Sequence, residues 1–124
     1  MNKLSTFQRN NISIGTDLAA EIRSFSPELR TFVVIGAYIQ TSSGATNPSK
    51  SLNVEQRNLR FWIRKYDVLK EYVESDKYLT DKDLVNSIYV KDIYTIEQLE
   101  NELEKYIQDF SFLEVAWKVD NPLP

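Results

Sequence analysis

The chain opens with polar residues and scattered apolar ones over residues 1–15, where Asn11-Ile12-Ser13-Ile14 alternates enough to predict a short edge strand. Thr16 has the chemistry of a helix N-cap, and Asp17 would sit favourably in a first turn. Leu18, Ile22 and Phe25 follow at helical spacing, so 17–25 reads as a short helix. Ser26-Pro27-Glu28 is compatible with a turn or a helix start. From Thr31 the run TFVVIGAYI is β-branched, aromatic and continuously apolar, which predicts a buried strand at 31–40, with one helix over 27–41 as the alternative.

Residues 41–53, TSSGATNPSKSLN, crowd Ser, Thr, Asn, Gly and Pro together and predict a flexible loop. Over 54–75, Leu59, Trp62, Ile63, Tyr66, Leu69 and Val73 recur at threes and fours, with Phe61, Val68 and Tyr72 widening the apolar face. That pattern predicts a long helix with a break near Asp67. Glu74 to Asp83 is an acidic connector whose Thr80-Asp81-Lys82-Asp83 can cap a short helix. Residues 87–94 then read as a strand.

Thr95 followed three residues later by Gln98 is a capping box, and Ile96, Leu99, Leu103, Tyr106, Ile107 and Phe110 continue at helical spacing. Phe112 to Val119 alternates, with Leu113, Val115, Trp117 and Val119 on one side. This predicts a half-buried strand that Pro122 and Pro124 cannot extend. Trp117 and Leu103 are expected in the core. The elements together predict an α+β fold over 1–124 as one globular domain, a three- to four-stranded sheet with helices packed on one face. A parallel strand-helix-strand crossover over 87–119 is allowed.

Composition narrows the chemistry. The chain has 124 residues, 42% of them hydrophobic and 27% charged, the mix of an ordinary globular domain. Neither Cys nor His occurs, which removes disulfides, thiolate zinc sites, Cys nucleophiles and every Ser-His arrangement. The longest apolar run, Phe32–Ile39, has eight residues, far short of the roughly 20 that span a bilayer. No apolar stretch follows Lys3, so no signal peptide is read and the expected location is cytoplasmic. The net charge of -3 hides a division. Residues 1–65 carry nine Lys/Arg against four Asp/Glu, while 66–124 carry six against fourteen. Such a division points either to a charged partner or to charges paired across one surface.

Each constellation has a competing structural explanation. Asp81-x-Asp83 begins like a calcium loop, but Val85 and Asn86 stand where a ligand and a Gly belong, and helix capping accounts for both aspartates. Ser42-Ser43-Gly44 and Asn47-Pro48-Ser49-Lys50 lack the second Gly of a phosphate loop, and nothing positions a Ser-Lys nucleophile. A glycosidase needs only paired carboxylates, but no pair stands out among the acids. Arg57, Arg60, Arg64 and Lys65 with Phe61 and Trp62 form a basic aromatic patch that suits nucleic acid. Against that, the isoelectric point is about 5.0, and the arginines can pair with acids of the second half while Trp62 serves the core. Glu71, Glu74, Asp76, Asp81 and Asp83 around Tyr78, joined by Glu97, Glu100 and Glu104, form an acidic aromatic region. Such a region suits a basic protein partner, or solubility alone.

The acidic, aromatic segment YVESDKYLTDKDLVNSIYVKDIYTIEQLENELEKYI before a last strand FLEVAWKV resembles, in type, the small bacterial immunity proteins paired with secreted or contact-delivered toxins. The resemblance implies a tight one-to-one complex with a toxin domain, often a basic nuclease whose active site is covered. The expectation is thus a non-catalytic binding protein with no cofactor, metal, membrane or small-molecule substrate. Its partner-binding residues would be Glu74, Asp76, Tyr78, Asp81, Asp83, Glu97, Glu100 and Glu104. The alternative is a nucleic-acid-binding regulator using the patch at 57–65.

Overall fold

A computed structural model describes residues 3–41, 44–47, 58–75 and 79–119. Among these residues the chain forms a six-stranded antiparallel sheet with three short helices, which corrects the expected sheet of three to four strands. The strands are β1 (Leu18–Ile22), β2 (Leu29–Thr41), β3 (Gly44–Thr46), β4 (Leu59–Leu69), β5 (Leu84–Ile93) and β6 (Glu114–Val115), and the helices are α1 (Thr6–Ser13), α2 (Lys70–Glu74) and α3 (Ile96–Leu103). The order across the sheet is β5-β4-β2-β1-β6, with β3 folded back on the end of β2. β5 and β6 occupy opposite edges, so the 87–119 unit is not a parallel crossover.

The predicted strand at 31–40 is β2, which pairs with β4 from Leu29↔Leu69 to Ile39↔Leu59. β4 occupies residues read as a long helix. Leu59, Phe61 and Ile63 face one side of the sheet, Trp62, Tyr66 and Val68 the other. Strand alternation with both faces partly covered puts apolar residues at spacings that also satisfy a helical period. β1 replaces the helix expected over 17–25. It lies between β2 and β6 with Leu18, Ala19 and Ala20 all buried, so pairing on both edges overrides the helical preference of Leu and Ala. The edge strand expected at 11–14 is instead the end of α1. That helix starts with a capping box in which the Ser5 hydroxyl accepts from the Gln8 backbone N–H at 3.1 Å and the Gln8 amide oxygen accepts from the Ser5 N–H at 2.9 Å.

One face of the sheet is closed. Val33, Ile35 and Ile39 of β2 pack with Leu59, Phe61 and Ile63 of β4 beneath Leu4 and Ile12 near α1, Leu99 and Leu103 of α3, and Ile107 and Phe110 after it. Thr95 caps α3 as expected, accepting from Gln98 N–H at 3.1 Å. The helix ends at Leu103 rather than near 110, where i→i+3 bonds from Lys105 and Tyr106 tighten the last turn. Buried Gln8 donates both amide hydrogens, to the carbonyls of Phe110 at 2.7 Å and Leu113 at 3.1 Å, and so ties α1 to the C-terminal segment. At the sheet's far end buried Asp67 accepts from the Thr31 hydroxyl and from Asn86 Nδ2.

Among the described residues the second face is covered only in part. Tyr72, Val73, Leu79 and Leu84 pack on Phe32, Tyr66 and Val68, and Ala116 and Val119 join them. Here the last predicted strand departs most from expectation. After two paired residues a 3-10 turn at Ala116–Lys118 carries the chain round the sheet edge. Trp117 consequently projects into solvent, 78% exposed, rather than entering the core, whereas Leu103 is fully buried.

Candidate functional site

Alternation along β4 places Arg60, Trp62 and Arg64 on the second, partly covered face, and Phe61 and Lys65 on the closed one. In register, Trp62 lies opposite Gly36 of β2 and Arg64 opposite Tyr89 of β5. The Trp62 indole fills the space a side chain at Gly36 would need: a Cβ there would stand 2.5 Å from Trp62 Cζ2. Only glycine lets the ring settle across β2. Tyr89 meets the indole edge-on at 6.3 Å between centroids. The Arg60 guanidinium carbon lies 4.4 Å from the Tyr94 ring centroid, and that of Arg64 lies 5.7 Å from the centroid of Tyr66. Tyr89 and Tyr94 keep 62% and 57% of their surface in solvent, while Trp62, Tyr38, Arg60 and Arg64 are half-buried. The result is a rigid aromatic surface carrying two guanidinium groups, mounted on strands.

Two carboxylates border it. Asp92 sits in a β5 bulge with φ of 61°, and its Oδ1 accepts from the Tyr38 hydroxyl across β4. Burial first, and then that hydrogen bond, push Tyr38 up to about 12, so it stays a neutral donor. Asp17, just before β1, is half-buried with Oδ1 2.5 Å from the same point over Gly36. Its carboxyl is raised above the ordinary 3.8 by burial, and no described residue gives it a hydrogen bond or ion pair.

Among the described residues, the acidic residues singled out from the sequence divide between two parts of the fold. Glu97 and Glu100 belong to α3 on the closed face and Glu104 caps its C-terminus, whereas Glu74 and Asp83 belong to the segment covering the second face. Glu97 and Glu104 are exposed. Glu100 is engaged internally, its Oε2 accepting from Leu4 N–H at 2.7 Å. Asp83 Oδ2 accepts from Thr80 N–H at 2.9 Å, the capping role that the spacing suggested. Glu74 lies 3.9 Å from Lys70 one helical turn away. Asp81 begins a 3-10 turn, and Asp76 and Tyr78 lie outside the described residues.

The basic aromatic patch expected over 57–65 is divided by the strand: Phe61 and Lys65 face the closed side, away from Arg60, Trp62 and Arg64. Arg60 and Arg64 share a face with Trp62 through strand alternation, and Arg57 lies outside the described residues. The contributions of Tyr38, Tyr89, Tyr94 and Asp17 were missed, since they come from three other segments and only sheet register assembles them. Within the predicted loop 41–53, residues 44–46 form β3, while 42–43 and 48–53 lie outside the described residues.

Two surface grooves lie elsewhere, at the rim of the closed face. One, about 480 Å³, has Lys3, Phe7, Asp109, Glu114 and Lys118 among its lining residues; the other, about 460 Å³, has Glu21, Arg23, Tyr106 and Phe112. Both mix charge signs. Among the described residues no three His, Cys, Asp or Glu side chains group to hold a metal, and no helix is long and apolar enough to cross a membrane. No family model, curated protein or solved structure matches this chain.

Proposed function

We propose that this chain is a non-catalytic protein-binding module whose contact surface is the sheet face built on Arg60, Trp62 and Arg64 and bordered by Tyr38, Tyr89 and Tyr94. One observation carries the reading. Trp, Tyr and Arg are the residues that dominate binding energy at protein interfaces. Here they are concentrated on one sheet face, half-exposed, and held by Gly36 and by ring-to-guanidinium contacts. Strands hold such anchors without a large ordering cost on association. The biological role proposed is that of an immunity protein acting in the cytosol, covering the active site of a cognate toxin domain. The acidic second half then supplies long-range steering toward a basic partner, and the aromatic face supplies the anchor.

The test is co-purification with the product of the adjacent gene. Capture by the wild type, with at least tenfold weaker binding by Trp62→Ala and Arg64→Ala, supports the reading. Equal capture by all variants removes this face from the interface.

The alternation of Arg60, Trp62 and Arg64 beside tyrosines also suits stacking of a single nucleic-acid strand, and this is the second reading. It requires retardation of an oligothymidylate at 50 mM salt that disappears as salt rises. No retardation at that salt leaves the protein-binding reading in place.

A further inference from the structure

β5 ends the sheet. Among the described residues it pairs with β4 alone, and no backbone hydrogen bond reaches its outer edge. An open edge presents a row of backbone N–H and C=O groups, so what fits it is another extended strand. Edges that stay single are guarded along their length by charges, prolines or bulges. From Leu84 to Val90 the strand carries neither charge nor proline, and Ile88 and Tyr89 are exposed. Its irregularities fall at the ends of a regular stretch. Asn86 and Asp92 adopt positive φ, 54° and 61°, where the register to β4 shifts on either side. Between them the ladder runs unbroken through Lys65↔Ile88, Arg64↔Tyr89 and Ile63↔Val90. Tyr89 is the midpoint between the two left-handed residues.

We infer that β5 pairs antiparallel with β5 of a second copy of this chain, about a two-fold axis at Tyr89, and so joins two sheets into one. Opposite residues of an antiparallel pair point to the same face, so the axis passes through a residue and not between two. Centring on Tyr89 sets Ile88 against Val90, Tyr89 against its own copy and Lys91 against Ser87. Apolar then meets apolar, and neither like charges nor a charge and an apolar group stand opposite each other. Centring one residue either way lays Lys91 and Asp92 against Val85 and Leu84, or against Tyr89 and Ile88. The backbone selects the same register, because Tyr89 as centre sets Asn86 opposite Asp92, interruption against interruption. A strand of unrelated sequence has no reason to break its ladder at the matching position. A second copy does so by symmetry.

Sedimentation equilibrium of the full chain from about 5 to about 500 µM tests the pairing. The wild type should pass from monomer to dimer within that range. Ser87 is exposed, so its variants should keep the native far-UV spectrum. Ser87→Lys sets two ammonium groups opposite each other, twice across the axis, and should raise the dimer Kd about tenfold. Ser87→Glu meets Lys91 instead and should lower it about threefold. Ile88→Lys puts a charge into the apolar pair and should leave the chain monomeric. A wild type that stays monomeric throughout overturns the inference and leaves the edge to a strand of a different protein. A dimer indifferent to all three variants overturns it too, as does one whose Kd moves the same way in both Ser87 variants.

Discussion

The two faces of the sheet use the same strands for opposite purposes. On the closed face every polar group near the core is matched: Gln8 spends both amide hydrogens, and Asp67 is bonded by Thr31 and Asn86. Leu99 and Leu103 seal the layer. On the other face the apolar cluster stops short, and Trp62, Tyr38, Tyr89 and Tyr94 continue into solvent beside a carboxylate with no described partner. The first face shows satisfied groups and the loss of water that stabilises a fold. The second keeps aromatic and guanidinium side chains partly wet, the feature on which the proposed binding role rests.

The sharpest test of this contrast is Leu103→Ala. It opens a cavity under α3 and should cost about 2–5 kcal/mol in urea unfolding. A loss below about 1 kcal/mol would mean that the face is not closed. Gly36→Ala comes next, because its Cβ would meet both Asp17 Oδ1 and the Trp62 ring at 2.5 Å. Displacing the indole should cost about 1–3 kcal/mol and red-shift tryptophan emission. Unchanged emission would show that the ring does not lie over this glycine. Thr31→Val keeps shape but removes a donor from buried Asp67, and should cost about 1–2 kcal/mol. A neutral result would mean that Asp67 is already satisfied without it.

Asp17→Asn should act in the opposite direction. Burial raises the folded-state value of this carboxyl above 3.8, so the native protein holds the proton more tightly than the unfolded chain does. Stability therefore falls as pH rises from 3.8 through the folded value and stays lower above it. The Asn variant escapes that loss. Its Tm should exceed wild type at pH 7, with the advantage shrinking to nothing below pH 3.8. A lower Tm at pH 7 would reveal an internal partner for the carboxylate. The smallest effect belongs to Trp117→Ala, where 78% exposure limits the change to about 0.5 kcal/mol by thermal melt. A larger loss would place that ring against the fold.

A part of the candidate site was legible as residues but not as geometry, and Tyr38, Tyr89, Tyr94 and Asp17 carried no local signal. Arg60, Trp62 and Arg64 stand out as basic residues beside an aromatic in any reading of the chain, yet whether they share a face depends on the period of the backbone. Leu59, Ile63 and Tyr66 lie at helical spacing because β4 buries apolar groups on both of its faces, a pattern that local periodicity cannot separate from a helix. Ser5 and Gln8 did carry a readable capping box for α1. The weak alternation at 11–14 masked it.

By itself, the sequence determined what local chemistry controls. The continuous β-branched run of β2, the Thr95 cap of α3, the burial of Leu103 and the exclusion of every Cys- or His-based reaction follow from residue type and short-range spacing. Only the tertiary structure decided that 18–22 and 59–69 are strands, that the acids of α3 lie on the other side of the sheet from Glu74 and Asp83, and that Trp117 faces water. Those outcomes depend on which strands pair and on what covers each face. Pairing and burial are long-range terms that outweigh the small free-energy differences by which single residues prefer helix or strand.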